Sequence, residues 1–372
     1  MQDAYFLYHS IGQYPAKAAD LASAMAEFAA VWSAPDDRQW GYLLGRRQAF
    51  IDRWRAIIGA AEGTLTTCES VTHGLHMLMT ALPHRLKGRR VLVAADCFPS
   101  NHFLLAELAG RLGFTLETVP LRQGAAHVHS EDFAARWTPD VALALLTWVS
   151  STTSHRIDLP ALVAHGRAMG SLIGVDITQA AGLLPFDVAD PAIDFTLSTS
   201  LKWMCGTPGA GILHVAAPLI AEATPELRGW FSQPDPFSWA LDRFTLAPDI
   251  RRFDSGTPGC MAAIATLPAL DWHAAQDGAA ILAANRRMTA RIIAAADDIG
   301  LDLVTPRDEP RRGGSVMLRL PDRLPAPDVL ARLRSAGIAA DARSQVLRLS
   351  PGIVTTDDGV SHLIETLGKA AR

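Results

Sequence analysis

Net positive charge, paired cysteines and long apolar runs are all scarce in this chain, and each scarcity argues against a class of function. Its 34 lysines and arginines stand against 38 aspartates and glutamates, giving a formal net charge of −4. That balance offers no field for a polyanion, so no nucleic-acid partner is expected. Cys68, Cys97, Cys205 and Cys260 are scattered without a Cys-x-x-Cys pair, which speaks against a zinc ribbon or a disulfide scaffold and suits a reducing compartment. No uncharged apolar run reaches the roughly 18 residues of a membrane span. The opening "MQDAYFLYHSIGQYP" also has no basic stretch leading into an apolar one. The expectation is a cytoplasmic protein with no membrane partner. A P-loop and a His-Glu-x-x-His motif are absent, and "GTPGAG" (206–211) leads into a strand rather than a helix, which disfavours a dinucleotide site. His73 and His76 stand three apart with no acidic partner, so no metal is expected.

What remains is a sparsely charged chain of 372 residues, 49% hydrophobic, longer than one core usually supports. Two periods alternate through its middle. Apolar, β-branched runs read as strands at 89–96, 141–148, 171–177, 194–200 and 209–215, with helix-period segments at 70–86, 100–113 and 158–170. Strands buried on both faces and joined by amphipathic helices imply an α/β fold with a mostly parallel central sheet. Beyond "RFDSGTPG" come Ala-rich helices and then a strand–helix–strand–helix run, which implies a smaller α+β C-terminal domain. The expected division is an N-terminal segment (1–44), packed on the small domain or on a partner subunit, a large domain (45–245) and a small domain (246–372).

The stretch "SLIGVDITQAAGLLPFDVADPAIDFTLSTSLKWMCGTPGAGILHV" (171–215) carries the chemistry. Asp176 ends one buried strand and Lys202 follows another, where ligands of such sheets gather. A lysine in uncharged surroundings has a depressed pKa and attacks aldehydes, and an acid facing an aromatic nitrogen keeps it protonated. Pyridoxal 5′-phosphate (PLP) demands both. Spacing alone equally permits a helix-capping Asp176 and a surface Lys202. Ser70, Val71 and Thr72 open an amphipathic helix, a setting for phosphate or for an ordinary cap. Phe98 follows a strand, free to stack on a planar ring or to fill the core.

In combination these pieces resemble the class V group of fold-type-I PLP enzymes, which includes cysteine desulfurases, aminotransferases and kynureninases. The anchors are "VDITQAAGLLPFDV", "STSLKW", "GTPGAGILHV" and "RRFDSGTP", and the likeness runs from about residue 5 to 370. The resemblance implies that Lys202 binds the cofactor covalently and Asp176 pairs with the pyridinium nitrogen. It implies Gln179 beside the phenolic oxygen, Phe98 on the ring, and Ser70, Val71, Thr72 and Ser200 around the phosphate. Thr153 is a further expected cofactor contact. In this group a threonine of the "SGTP" turn, here Thr257, reaches the phosphate of the partner subunit, which makes a homodimer with sites at the subunit boundary the default.

"HSIGQYPAKA", "VTHGLHMLMTAL", "FPSN", "RGWF" and "ADARSQVLRLSP" are similar to kynureninase segments. By that likeness Arg348 clamps the substrate carboxylate, while Trp230 and Ser10 border the substrate. The implied activity is hydrolytic Cβ–Cγ cleavage of a kynurenine-type amino acid. The chain departs from the kynureninase pattern at Leu201, where that family has a tyrosine, at "SSTTS" (150–154), and at Gln179, where it has a histidine. A class V aminotransferase, lyase or epimerase acting on a bulky amino acid, or a protein that keeps the fold without catalysis, are the alternatives. The last strand region lacks cysteine, which argues against persulfide-based desulfuration.

Overall fold

The computed structural model describes residues 4–371, so the two ends of the expected domain division, 1–3 and 372, lie outside the described residues. The chain opens with an extended segment and two helices, α1 (Lys17–Trp32) and α2 (Gln39–Ile58). Seven strands follow: β1 (Leu65–Cys68), β2 (Arg90–Ala94), β3 (Thr115–Val119), β4 (Val141–Thr147), β5 (Leu172–Asp176), β6 (Phe195–Thr199) and β7 (Gly211–Val215). Between them run α3 (Val71–Ala81), the one-turn α4 (Pro83–Leu86), α5 (Pro99–Leu112), α6 (Ser130–Arg136) and α7 (Leu159–Met169), with α8 (Ala217–Glu222) after β7. The strands form one sheet in the order β1-β7-β6-β5-β4-β2-β3. All neighbours are parallel except those of β7, which runs antiparallel to β1 and β6. This is the expected α/β fold with a mostly parallel sheet.

Strand alternation divides the core into two layers. Ile173 and Val175 of β5 point to one face, against Phe50 and Trp54 of α2 and Leu162 and Val163 of α7. Leu172 of β5 and Leu197 of β6 point to the other, against Leu75 and Leu78 of α3 and Leu105 and Leu108 of α5. Each such side chain, fully buried, contributes about 1.5–3 kcal/mol. Gly174 is required where Phe195 lies across β5, because a β-carbon there would stand 1.9 Å from the phenyl ring.

The C-terminal part begins with α9 (Met261–Ala274) and α10 (Gly278–Asp298), then β8 (Asp302–Leu303), β9 (Val316–Arg319), α11 (Ala326–Ser335), β10 (Asp341–Arg343), β11 (Val346–Leu349) and α12 (Asp357–Ala371). Its four strands make an antiparallel sheet in the order β10-β11-β9-β8. Helix α9, although beyond residue 246, sets Ala263, Leu267 and Leu270 into the same core as α2 and the large sheet. The N-terminal segment joins the small sheet instead. Tyr5 bridges to Ala339 and Leu7 to Ser350, and Phe6 is buried among Val316, Leu318 and Leu349. From there the chain crosses to the large sheet, where the Gly12 amide donates to the Leu201 carbonyl.

Candidate active site

The carboxyl ends of β4, β5 and β6 open into a cavity of about 370 Å³ lined by Thr147, Asp176, Thr199 and Lys202, with Ser70, Val71, Thr72, Phe98 and Gln179 around them. Local sequence sets each position. Ser70 is the N-cap of α3, its hydroxyl accepting from the His73 amide at 3.1 Å. That leaves the first-turn amides of Val71 and Thr72 without intrahelical partners, at the positive end of the helix dipole. Pro99 starts α5 and leaves Phe98 exposed at the helix entry.

Asp176 is buried at the last position of β5. Its Oδ1 accepts from the Thr178 amide at 2.9 Å and its Oδ2 from Asn101 Nδ2 at 3.1 Å. A carboxylate held by two donors is fixed in place with lone pairs to spare. Lys202 faces a different balance. Burial pushes its amine down to about 8, the carboxylate of Asp176 opposing the shift and the guanidinium of Arg348 adding to it. Among the described residues no carboxylate forms an ion pair with it, and its Nζ stands 5.4 Å from the centre of the Phe98 ring. Such an amine is neutral over part of the physiological range and is a competent nucleophile.

The residues fit a phosphorylated pyridine aldehyde on three counts. Lys202 suits the aldehyde, the helix start at Val71 and Thr72 suits a phosphate, and Asp176 suits a protonated ring nitrogen. The buried hydroxyls of Thr147 and Thr178, both on the cavity wall, have no hydrogen-bond partner within the protein. Unpaired buried hydroxyls of this kind call for a polar ligand or water.

Other expected residues sit elsewhere. The Ser200 hydroxyl donates to the Ala210 carbonyl at 2.6 Å and accepts from the Trp54 indole at 3.1 Å. It does not line the cavity, whereas Thr199 at the end of β6 and Leu201 and Lys202 in the turn beyond it do. Thr153 is buried, its Oγ1 accepting from the His155 amide, while its neighbour Ser151 reaches the cavity wall. Gln179 lies on the wall, its amide donating to the His9 carbonyl at 3.1 Å. Arg348, on β11, is buried behind Ser151, whose carbonyl it approaches at 3.4 Å. Ser10 belongs to the crossing N-terminal segment, its amide bonded to the Leu7 carbonyl. Trp230 packs edge-on against Trp40, Phe231 and Phe237, outside the cavity. Thr257 lines a second cavity of about 500 Å³, which shares Glu69 and Gly209 with the first.

Sequence reasoning missed Asn101, Thr178, Asp341 and His9. Asn101 lies one helical turn after Phe98, a spacing that could have flagged it. His9 and Asp341 come from segments about 330 residues apart, and only the fold brings them together.

Residues 52–356 match the family model described as aminotransferase class V. The chain is 33% identical over 267 residues to the kynureninase of Deinococcus radiodurans, a match covering 70% of this chain and 62% of that protein. It is 28% identical over 325 residues to the isopenicillin N epimerase of Streptomyces clavuligerus, covering 84% and 81%. A cysteine desulfurase from Thermococcus onnurineus NA1 superposes with a TM-score of 0.87 at 19% identity, covering 99% and 94% of the two chains, which shows a shared fold. Among the described residues no helix is long and apolar enough to cross a membrane. The chain belongs to the class V aminotransferase family and is a PLP-dependent enzyme.

Proposed function

We propose that the enzyme cleaves the Cβ–Cγ bond of a kynurenine-type α-amino acid by hydrolysis, as a homodimer. The observation that carries an amino-acid substrate is Arg348. Its guanidinium is buried beside the cavity wall and close enough to Lys202 for their charges to repel. Asp341 pairs with its Nε and Nη2, while Nη1 faces the cavity wall at Ser151, and a guanidinium edge turned that way suits a carboxylate ligand. The choice of kynurenine rests on the 33% identity to the Deinococcus enzyme.

In this reading Lys202 would hold the cofactor covalently, with the Val71 and Thr72 amides toward its phosphate. PLP, when bound, supplies an electron sink for the bond broken at the substrate. The Lys202 amine, lowered to about 8 by burial, takes the α-proton at Nζ. Proton transfer by a group whose pKa lies near the working pH is worth about 10²–10⁴-fold. Asp176, kept in place by Asn101 and Thr178, holds a negative charge opposite the ring nitrogen. Arg348 fixes the carboxylate, and so the bond that is presented for cleavage. Leu227, Phe237, Trp239 and Leu241 are large apolar side chains left exposed between α8 and α9, and their burial in a second copy would support the dimer.

The test is incubation of the PLP-loaded enzyme with L-kynurenine and 3-hydroxykynurenine, reading fluorescence of the aromatic product and release of alanine. Formation of neither product rejects hydrolysis. A second reading, epimerisation, is favoured by the Streptomyces relative and by Leu201, an apolar residue on the cavity wall. Exchange of the α-hydrogen in deuterated water together with inversion, and no cleavage, would select it.

A further inference from the structure

Arg348 does not stand alone. Asp341 lies directly opposite it across the β10–β11 hairpin, and the two side chains meet in a two-pronged pair, Nε to Oδ1 at 2.8 Å and Nη2 to Oδ2 at 2.5 Å. Behind the carboxylate stands His9, buried, with Nε2 2.9 Å from Oδ1. Its other nitrogen, Nδ1, is 2.6 Å from the Ser350 hydroxyl, which is in turn 2.6 Å from the Ser315 hydroxyl. The Ser315 amide donates to Ser154 Oγ at 3.1 Å.

The direction of every bond follows from Asp341, which as a carboxylate only accepts. Burial opposes its ionisation, but the hydrogen bonds from His9 and Arg348 hold the carboxyl well below the usual carboxylate range. His9 therefore donates from Nε2. Burial lowers its pKa, and as a neutral ring it accepts at Nδ1 from Ser350, which accepts from Ser315. Each group is oriented by the next. The pair occupies the Nε and Nη2 side of the guanidinium. Among the described residues Nη1 has one contact, the long one to the Ser151 carbonyl on the cavity wall. The edge formed by Nη1 and the second Nη2 hydrogen is thus the one available to a carboxylate. The same His9 holds Gln179 of the cavity wall through its carbonyl, so one residue contacts both Asp341 behind the arginine and a lining side chain.

We infer that Asp341 and His9 are positioning residues that fix the Arg348 guanidinium with its Nη1 edge turned to the carboxylate of the amino acid. This rests on the reading of Arg348 as the carboxylate-binding group. A charge-balancing role makes the opposite forecast. Were Asp341 present only to neutralise a buried cation, removing its charge would strengthen the attraction for an anion, whereas positioning requires that attraction to weaken.

The experiment titrates PLP-loaded wild type, Asp341→Asn and His9→Ala with L-kynurenine and with kynuramine, the same molecule without its carboxylate, following the cofactor's visible absorbance. In Asp341→Asn the preference for the acid over the amine should fall by about ten- to a hundredfold. Affinity for kynuramine and cofactor uptake should stay unchanged. His9→Ala should lose less, and His9→Asn, which restores a donor to Asp341, should recover part of the loss. Ser350→Ala leaves the ion pair intact and removes only the hydroxyl behind His9, so it gives the same readout if Asp341→Asn does not take up cofactor. A preference that holds or rises in these variants overturns the inference. A wild-type enzyme that does not distinguish the acid from the amine removes the carboxylate role of Arg348, and this inference with it.

Discussion

Gly12 and Lys202 touch through their backbones. The Gly12 amide donates to the carbonyl of Leu201 at 2.9 Å, and a β-carbon on Gly12 would stand 1.8 Å from the carbonyl oxygen of Lys202. The contact pins the N-terminal segment, already joined to the small sheet, onto the turn that carries the reactive lysine. It is the absence of a side chain, not an unusual backbone angle, that the site requires here.

Gly12→Ala therefore forces either the segment or the lysine turn to move. Overpacking of this kind costs about 1–3 kcal/mol, and here it acts within one residue of the amine. The expected outcome is a lower urea midpoint together with weaker PLP uptake, read from visible absorbance. Uptake equal to wild type would show that the segment yields and the turn does not depend on it.

Asp176→Asn keeps an acceptor for the Thr178 amide but removes the charge. Cofactor should still bind at Lys202, and borohydride reduction followed by mass spectrometry should still find it attached there. Turnover of any amino acid should fall by about two to three orders of magnitude, the scale seen when a preorganised electrostatic partner is lost. Loss of attachment in this variant would move Asp176 from chemistry to cofactor affinity.

Much of the large sheet and the heart of the site could be read in the sequence, for one physical reason. A strand buried on both faces is an unbroken apolar run, so a polar residue at its end, such as Asp176 after "SLIGV", marks a site directly. β1, β3, β8 and β10 are not legible as strands: β3 is an edge strand with only Val119 buried, and β8 spans two residues. "LTTC" and "DAR" are short, and Thr66 is buried only because its hydroxyl bonds Asp254 across 188 positions of chain. The resemblance alone places Ser200 at the phosphate; in the fold its hydroxyl is engaged by the Trp54 indole and the Ala210 carbonyl. The pairing of His9 with Asp341 carries no local signal, because the two lie 332 positions apart in the chain.

Arg47 and Asp254 form a buried pair with bonds of 2.7 and 3.1 Å, and the guanidinium also donates to the hydroxyls of Thr66 and Thr67. It ties α2 to β1 and to the turn that carries Thr257. Arg47→Ala leaves a buried carboxylate without its cation, a change worth about 3–5 kcal/mol of stability. Arg47→Met combined with Asp254→Leu removes both charges and should recover a large part of that. Chemical denaturation of the two variants measures the difference; equal losses would mean that the packing matters and the charge does not.

The pH dependence of Lys202 gives the sharpest test of its setting. An ordinary lysine titrates near 10.5, and burial lowers this one to about 8. Only the neutral amine attacks an aldehyde, so the rate of PLP attachment should climb about tenfold per pH unit below 8 and level off above it. A surface lysine would keep climbing for two units more. The same shift has a consequence for stability. Between about 8 and 10.5 the unfolded chain holds a proton on this group that the folded chain has released, so its contribution to stability increases with pH across that window. Lys202→Met removes the group. In apo protein the gap in stability between Lys202→Met and wild type should therefore be widest below pH 8, with the variant the more stable, and should narrow as pH approaches 10.5. Thermal melts of both proteins at matched ionic strength across that range measure the gap. A gap that is flat with pH would place the amine in water, outside the cavity that every role assigned to it here requires.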